Sequence, residues 1–181
     1  MSIDRQKSLD KPGIYTLVIF VAQPVRTVVG KLGSQDFPPG FYTYTGSAIG
    51  RSTRLRVRVG RHLAFRKKLH WHIDYLLTSK VVTVKAVVYA ETTSKMECQV
   101  VKEIKQQIGV KALVRGFGAS DCRYRCVAHL HYYPGLDFDK LLNQIIKVYK
   151  KLFNDTLSSD GQTHMTECDT NNVSWIITKG C

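Results

Sequence analysis

The sequence predicts a mixed α/β fold (α+β), a small central sheet flanked by helices. Three observations lead there. Runs of β-branched and aromatic residues at 13–21, 81–91 and 128–133 have the length and composition of strands. Residues 137–153 repeat apolar side chains at helical spacing. The two kinds of segment are interleaved without strict alternation, which argues against a doubly wound parallel sheet.

In chain order, residues 1–11 are polar and charged and read as a loose N-terminus. The first strand, 13–21, ends before Pro24, and residues 25–32 are a second candidate, closed by Gly30 and Gly33. Phe37-Pro38-Pro39-Gly40 signals a turn, after which 41–44 alternates aromatic residues with threonine, a third strand. Residues 46–52 are small enough for a loop. Ser52 or Thr53 can then cap a helix over 53–65, with Leu55, Val59 and Leu63 as its inward stripe. Residues 69–77 suit a short buried helix. After the strand at 81–91, Ser94 and Glu97 have capping-box spacing for a helix to about Gln107. A glycine-rich loop at 116–120 and a strand at 128–133 lead to the helix at 137–153, with Leu141, Leu142, Ile145, Val148, Tyr149 and Leu152 inward. From 154 the composition turns to Ser, Thr, Asn, Asp and Gly, and 154–181 reads as a disordered tail. One domain, 12–153, carries the fold.

Charge points to the partner. The 181 residues carry net charge +13. Residues 154–181 hold four acids and one base, leaving 26 bases against 10 acids in the rest. A surplus of that size selects a polyanion, and nucleic acid is the first candidate. No segment approaches the ~20 apolar residues of a membrane helix. The first residues have mixed charge and no apolar secretory core, so an intracellular address, cytoplasmic or nuclear, is expected. Five cysteines with no secretory signal read as thiols or metal ligands rather than bridges.

The chemistry-bearing residues concentrate in two short motifs and the basic segment after the second. Gly13-Ile14-Tyr15 lies on the first strand and Tyr44-Thr45-Gly46 on the third. Eight bases and no acid then fall between Arg51 and Lys68. On a helix, Arg54, Arg58 and Arg61 share a face, and planar guanidinium forks pair with phosphate. Arg51, Arg54, Arg61, Lys67 and Lys68 are therefore candidate nucleic-acid contacts, set against the plainer reading of a solvated basic face. The positive field is expected to lower the pKa of a nearby tyrosine and make its phenolate accessible.

Those motifs resemble the GIY-YIG nuclease superfamily over residues 12–134. The resemblance implies that Tyr15 activates water, that Tyr44 shapes the site, and that Arg58, or Arg54 as the next match, completes the catalytic set with His62. It also implies a downstream helix whose glutamate, by match Glu97, holds Mg2+ or Mn2+. Three departures mark a divergent branch: 28 residues lie between Tyr15 and Tyr44, longer than the compact pattern, Thr45 stands where isoleucine or valine is usual, and the family's late asparagine has no clear match. The blocks at 71–77 and 116–122 resemble those of a poorly characterised microbial branch, some of whose members are fused to DNA-repair glycosylases. The implied activity is metal-dependent endonuclease cleavage of DNA, in preference to RNA, in repair or processing. A non-catalytic nucleic-acid-binding module with the same basic groove is the alternative.

A separate constellation is Cys122, Cys126 and His129, for which Cys98 or His131 would supply the fourth ligand of a tetrahedral zinc site. It supports another alternative, a zinc-stapled interaction domain, against the plain reading of buried free thiols and a packed histidine.

Overall fold

The computed structural model describes residues 9–50, 53–64, 66–108, 110–120, 122–154 and 173–178. The strands are β1 (Gly13–Val21), β2 (Val25–Val28), β3 (Ser34–Phe37), β4 (Gly40–Ser47), β5 (Val82–Glu91), β6 (Leu130–Tyr133) and β7 (Val173–Ile177). The helices are α1 (Leu55–Leu63), α2 (His72–Leu77), α3 (Glu97–Ile108) and α4 (Phe138–Asn154). The main sheet has the order β6-β4-β1-β5-β7, with antiparallel pairing throughout.

Period-two alternation in β1 divides the interior into two layers. Tyr15, Leu17, Ile19 and Val21 face α1 and α2 and pack with Leu55, Val59, Ile73 and Leu76. Ile14 and Val18 face the opposite way, onto Val100 and Ile104 of α3 and Leu141, Ile145 and Tyr149 of α4. At about 25 cal/mol per Å² of apolar surface, two such clusters supply the main driving force for folding. The second layer also buries hydroxyls, each matched to a partner. Thr16 Oγ1 lies 2.9 Å from Thr45 Oγ1 and 2.8 Å from the Tyr149 hydroxyl. Thr45, the odd residue of its tripeptide, is therefore held by a buried hydrogen bond that isoleucine or valine would not make.

The sheet with flanking helices agrees with the sequence reading, and several details correct it. The candidate strand at 25–32 is half strand and half turn. β2 pairs with β3 as a separate hairpin, joined by a single 3-10 turn at Gly30–Leu32. That hairpin accounts for much of the long spacing between the tyrosine motifs. The third strand extends through the second motif to Ser47. The helix expected over 53–65 is shorter. Its N-cap is Arg54, with no side-chain cap, so Thr53 does not cap it; Ser52 lies outside the described residues. On that helix Leu63 is 43% exposed and His62 turns inward instead. The capping box at Ser94 is absent. The helix begins at Glu97, three residues further on, while the Ser94 backbone N–H donates to Thr92 Oγ1.

The expected disordered tail also needs correction. β7 lies within 154–181 and adds to the sheet beside β5, Ala86 opposite Ile177 through Ala90 opposite Val173. Residues 155–172 and 179–181, and residues 1–8 of the N-terminus expected to be loose over 1–11, fall outside the described residues. Among the described residues, no helix is long and apolar enough to cross a membrane.

Candidate active site

Antiparallel pairing puts Tyr15 opposite Gly46 and Leu17 opposite Tyr44. Tyr15 and Tyr44 are therefore diagonal neighbours on one face of the sheet. The glycine of the second motif has a steric reason. A Cβ on Gly46 would come within 2.5 Å of the Tyr15 hydroxyl oxygen and 2.7 Å of its ring. Gly13 is equally constrained, because a Cβ there would meet Ala90 O at 2.3 Å and the Leu55 side chain at 2.7 Å. The first motif's glycine thus lets α1 approach the sheet, and the second motif's glycine leaves room for the phenol.

These elements border a cleft of about 270 Å³. Tyr15 from β1, Tyr44 and Thr45 from β4, Arg58 from α1 and Glu97 from the first turn of α3 line it. Trp71, Gly118 and His129 complete the wall. Four residues separated by up to 82 positions in sequence, Tyr15, Tyr44, Arg58 and Glu97, are thus brought together. The glycine-rich loop at 116–120 reaches the cleft through Gly118. Its φ of +70° is a glycine conformation, and a Cβ there would strike the Tyr44 ring at 2.7 Å.

Behind the cleft lies a buried polar chain. The Tyr15 hydroxyl is 2.7 Å from His62 Nε2. His62 Nδ1 is buried without a hydrogen-bond partner and faces Asp74 Oδ1 at 3.8 Å, too far for a hydrogen bond but close enough for strong Coulombic coupling. That carboxylate favours the tautomer with its proton on Nδ1, which makes Nε2 the acceptor of the Tyr15 O–H. Asp74 is fully buried and fully engaged. Arg61 donates Nη1 to Oδ1 at 2.8 Å and Nη2 to Oδ2 at 2.9 Å. The backbone N–H groups of His70 and Trp71 donate to Oδ2 at 2.9 and 2.8 Å. Burial works against ionisation, but the neighbouring His62 ring, the Arg61 fork and the two amides outweigh it. The Asp74 carboxyl titrates well below the usual carboxylate range. Burial lowers the His62 pKa, so the ring is neutral near pH 7; Asp74 works in the opposite direction.

The expectation that basic residues would lower the Tyr15 pKa is overturned. Burial first, then Tyr44, pushes it well above its ordinary value, and Arg58 offsets this only in part. The resting group is a phenol, so any proton it loses must pass to a neighbour, and His62 is the neighbour in hydrogen-bond contact.

The basic segment divides into distinct roles. Arg58 lines the cleft, its guanidinium carbon 4.2 Å from the centre of the Trp71 ring, and has no carboxylate partner among the described residues. Arg61 is corrected from phosphate contact to internal brace: it is bound to Asp74, stacks 4.1 Å from the Trp71 ring and donates to the Lys68 carbonyl. Lys67 is half-buried, with its ammonium on the His62 carbonyl, and is not presented to a ligand either. Lys68 is exposed, Arg54 is half-buried with one N–H on Thr53 O, and Arg51 lies outside the described residues. Arg56 pairs with Asp10 at 2.7 Å. The acids missing from residues 51–68 are therefore supplied by distant positions. Sequence reasoning, which read residues 69–77 only as a short buried helix, missed Asp74 as the centre of the polar chain and Trp71 as a wall of the cleft. The Trp-His-Ile-Asp run was visible, but its carboxylate could be given a partner only once Arg61 was known to meet it.

Beside the cleft, Cys98, Cys122, Cys126 and His129 bring one donor atom each to within 4.8 Å of all the others, and the group could hold a metal ion. Cys98 Sγ lies 3.2 Å from Cys122 Sγ and 3.9 Å from His129 Nε2. The three thiols are free rather than bridged. Burial and the neighbouring Cys122 thiol push the Cys98 thiol well above its ordinary value, and a divalent cation at the centre would pull the thiols to thiolate. Of the two candidates for the fourth position, Cys98 is in the group and His131, buried in β6, is outside it.

A family model described as a domain of unknown function, DUF123, matches residues 14–154. No curated protein and no solved structure matches the chain.

Proposed function

The chain belongs to the GIY-YIG-like family DUF123, of unknown function, and on that premise we propose that it is a metal-dependent endonuclease acting on DNA. The observation carrying the reading is the convergence of Tyr15, Tyr44, Arg58 and Glu97 on one cleft, with Tyr15 bonded to His62. A phosphodiester enters with a non-bridging oxygen on the Arg58 fork, whose stacking on Trp71 fixes its plane. Water lies against the Tyr15 oxygen. As it attacks phosphorus, its proton passes to Tyr15 while the Tyr15 proton passes to His62 Nε2. The imidazolium so formed is stabilised by the Asp74 carboxylate, which Arg61 and two backbone amides hold in place. Tyr44 walls the other side.

A single carboxylate at the cleft suits Mg2+ or Mn2+, which retain most of their waters, and Glu97 is the residue that would hold the ion. Such an ion supplies Lewis-acid stabilisation of the departing oxygen. The Cys98, Cys122, Cys126 and His129 group we read as structural zinc. Three thiolates and one imidazole form a closed tetrahedral set with no position left for water. It would tie the start of α3, and so Glu97, to the loop carrying Gly118 and His129.

The test is cleavage of labelled DNA by Tyr15→Phe and His62→Gln. Each is expected to lose at least about a hundredfold in rate, the usual contribution of proton transfer, with DNA affinity retained. The alternative, a non-catalytic binding module, predicts binding without cleavage even by the wild type.

A further inference from the structure

A second and larger cavity, about 590 Å³, borders the Cys3His group, two of whose members, Cys98 and Cys126, line it. The two are neighbours: Glu97 and His129 line the cleft, and Cys98 and Ala128, each adjacent in sequence, line the cavity. Its rim is cationic. Lys95, Lys102 and Lys105 come from α3 and its approach, and Arg125 from the loop before β6. No acid lines it, and none of these four cations has an ion-pair partner among the described residues. Its floor is apolar, with Val101, Val110 and Ala128. At the edge stand Tyr124, 75% exposed, and Val127, 47% exposed. Arg125 is the one described non-glycine residue with positive φ, 52°. Left-handed strain of that kind persists where the surroundings fix it, and it collects at ligand sites.

An anion with a flat apolar body matches this lining. Phosphate satisfies the unpaired lysines, and a base covers the apolar floor and stacks on the open phenol ring. The volume falls in the range that holds a small ligand. Resting on the endonuclease reading, we propose that the cavity binds one nucleotide of a single DNA strand continuing past the cleft, its phosphate on Lys102 and Lys105 and its base against Tyr124. The enzyme then prefers substrates that present an unpaired strand beside the cleaved phosphate.

The test uses full-length protein carrying Glu97→Gln, so that binding is read without cutting. Fluorescence anisotropy of a labelled oligo(dT) is followed against salt, with folding of each variant checked by circular dichroism. Lys102→Glu with Lys105→Glu is expected to weaken single-strand binding at least about tenfold and to flatten the slope of log affinity against log salt by about 0.7, the one phosphate that the two lysines hold. Tyr124→Ala is expected to cost about tenfold, the loss of one stacked base, with Tyr124→Phe restoring it. Unchanged affinity in both variants would overturn the proposal. So would wild-type protein that ignores oligo(dT), a mononucleotide that competes as well as the oligomer, or tighter binding of oligo(rU). The two readings fail separately. A protein that never cuts DNA but loses oligo(dT) on these substitutions keeps the cavity and loses the endonuclease.

Discussion

Asp74→Asn is the most demanding test of the buried polar chain. The wild-type carboxylate accepts four hydrogen bonds, two from Arg61 and one each from the His70 and Trp71 amides, and faces His62 Nδ1 at 3.8 Å. Asparagine offers one oxygen and an NH2. Whichever way the amide turns, its NH2 meets N–H donors, from the guanidinium or from the backbone. Arg61, with a side chain only 26% exposed, also loses its countercharge. Breaking a buried pair in this way costs about 3–5 kcal/mol. For a domain of this size that is a fall in Tm of roughly 10 °C.

The pH dependence carries its own sign. The folded-state pKa of Asp74 is depressed, so its contribution is fully present above the unfolded carboxylate value, about 3.9, and drains away as pH falls below that. Urea denaturation of wild type and variant at pH 7, 4 and 2.5 should show a deficit that is large and flat at the upper values and smaller at the lowest. A variant within 1 kcal/mol of wild type at pH 7, or a deficit that stays constant down to pH 2.5, would refute the reasoning.

Gly46→Ala forces the new methyl against Tyr15, so overpacking of about 1–3 kcal/mol is expected in chemical denaturation, with a larger loss in cleavage than in DNA binding because the 2.7 Å contact to His62 is displaced. His62 must be neutral to accept the Tyr15 proton and its pKa is depressed by burial, so kcat/KM should be flat through pH 7 and fall only below the ordinary histidine value of about 6.5. An acid limb above that value would remove His62 from the proton path. Elemental analysis of protein purified without chelator should give one zinc per chain, and Cys126→Ser with Cys122→Ser should abolish it and lower Tm by several degrees.

The fold was legible where side-chain periodicity was strong. Residues 13–21 and 137–153 announced a strand and an amphipathic helix; both are found, and on the helix Leu141, Leu142, Ile145, Val148 and Tyr149 are buried as expected, Leu152 only partly, with Ile146 and Phe153 buried beside them. It was less legible where a few residues decide. At 25–32 a helical turn interrupts a β-branched run, because Gly30 and Gly33 take positive φ. At Ser94 capping-box spacing exists without a capping box. β7 was hidden because its five residues follow a long polar stretch and are held by pairing with β5, a tertiary cause.

In the candidate site, the motif residues could be found because each sits at a fixed offset from a glycine whose removal of a Cβ is sterically required. The partners could not. Nothing local says that Arg61 turns to Asp74 while Arg58, three residues away, turns to the cleft. Nor does local sequence reveal that burial outweighs the basic field around Tyr15. Those are outcomes of packing between α1, α2 and the sheet.

The most direct test is cleavage of labelled linear, nicked, flapped and branched DNAs by the full chain in metal-free buffer, then with Mg2+ or Mn2+ added, beside Glu97→Gln. Metal-dependent cutting by the wild type, lost in the variant while affinity holds, is the predicted result. Tight, salt-sensitive binding with no cutting of any substrate at any metal concentration would contradict it.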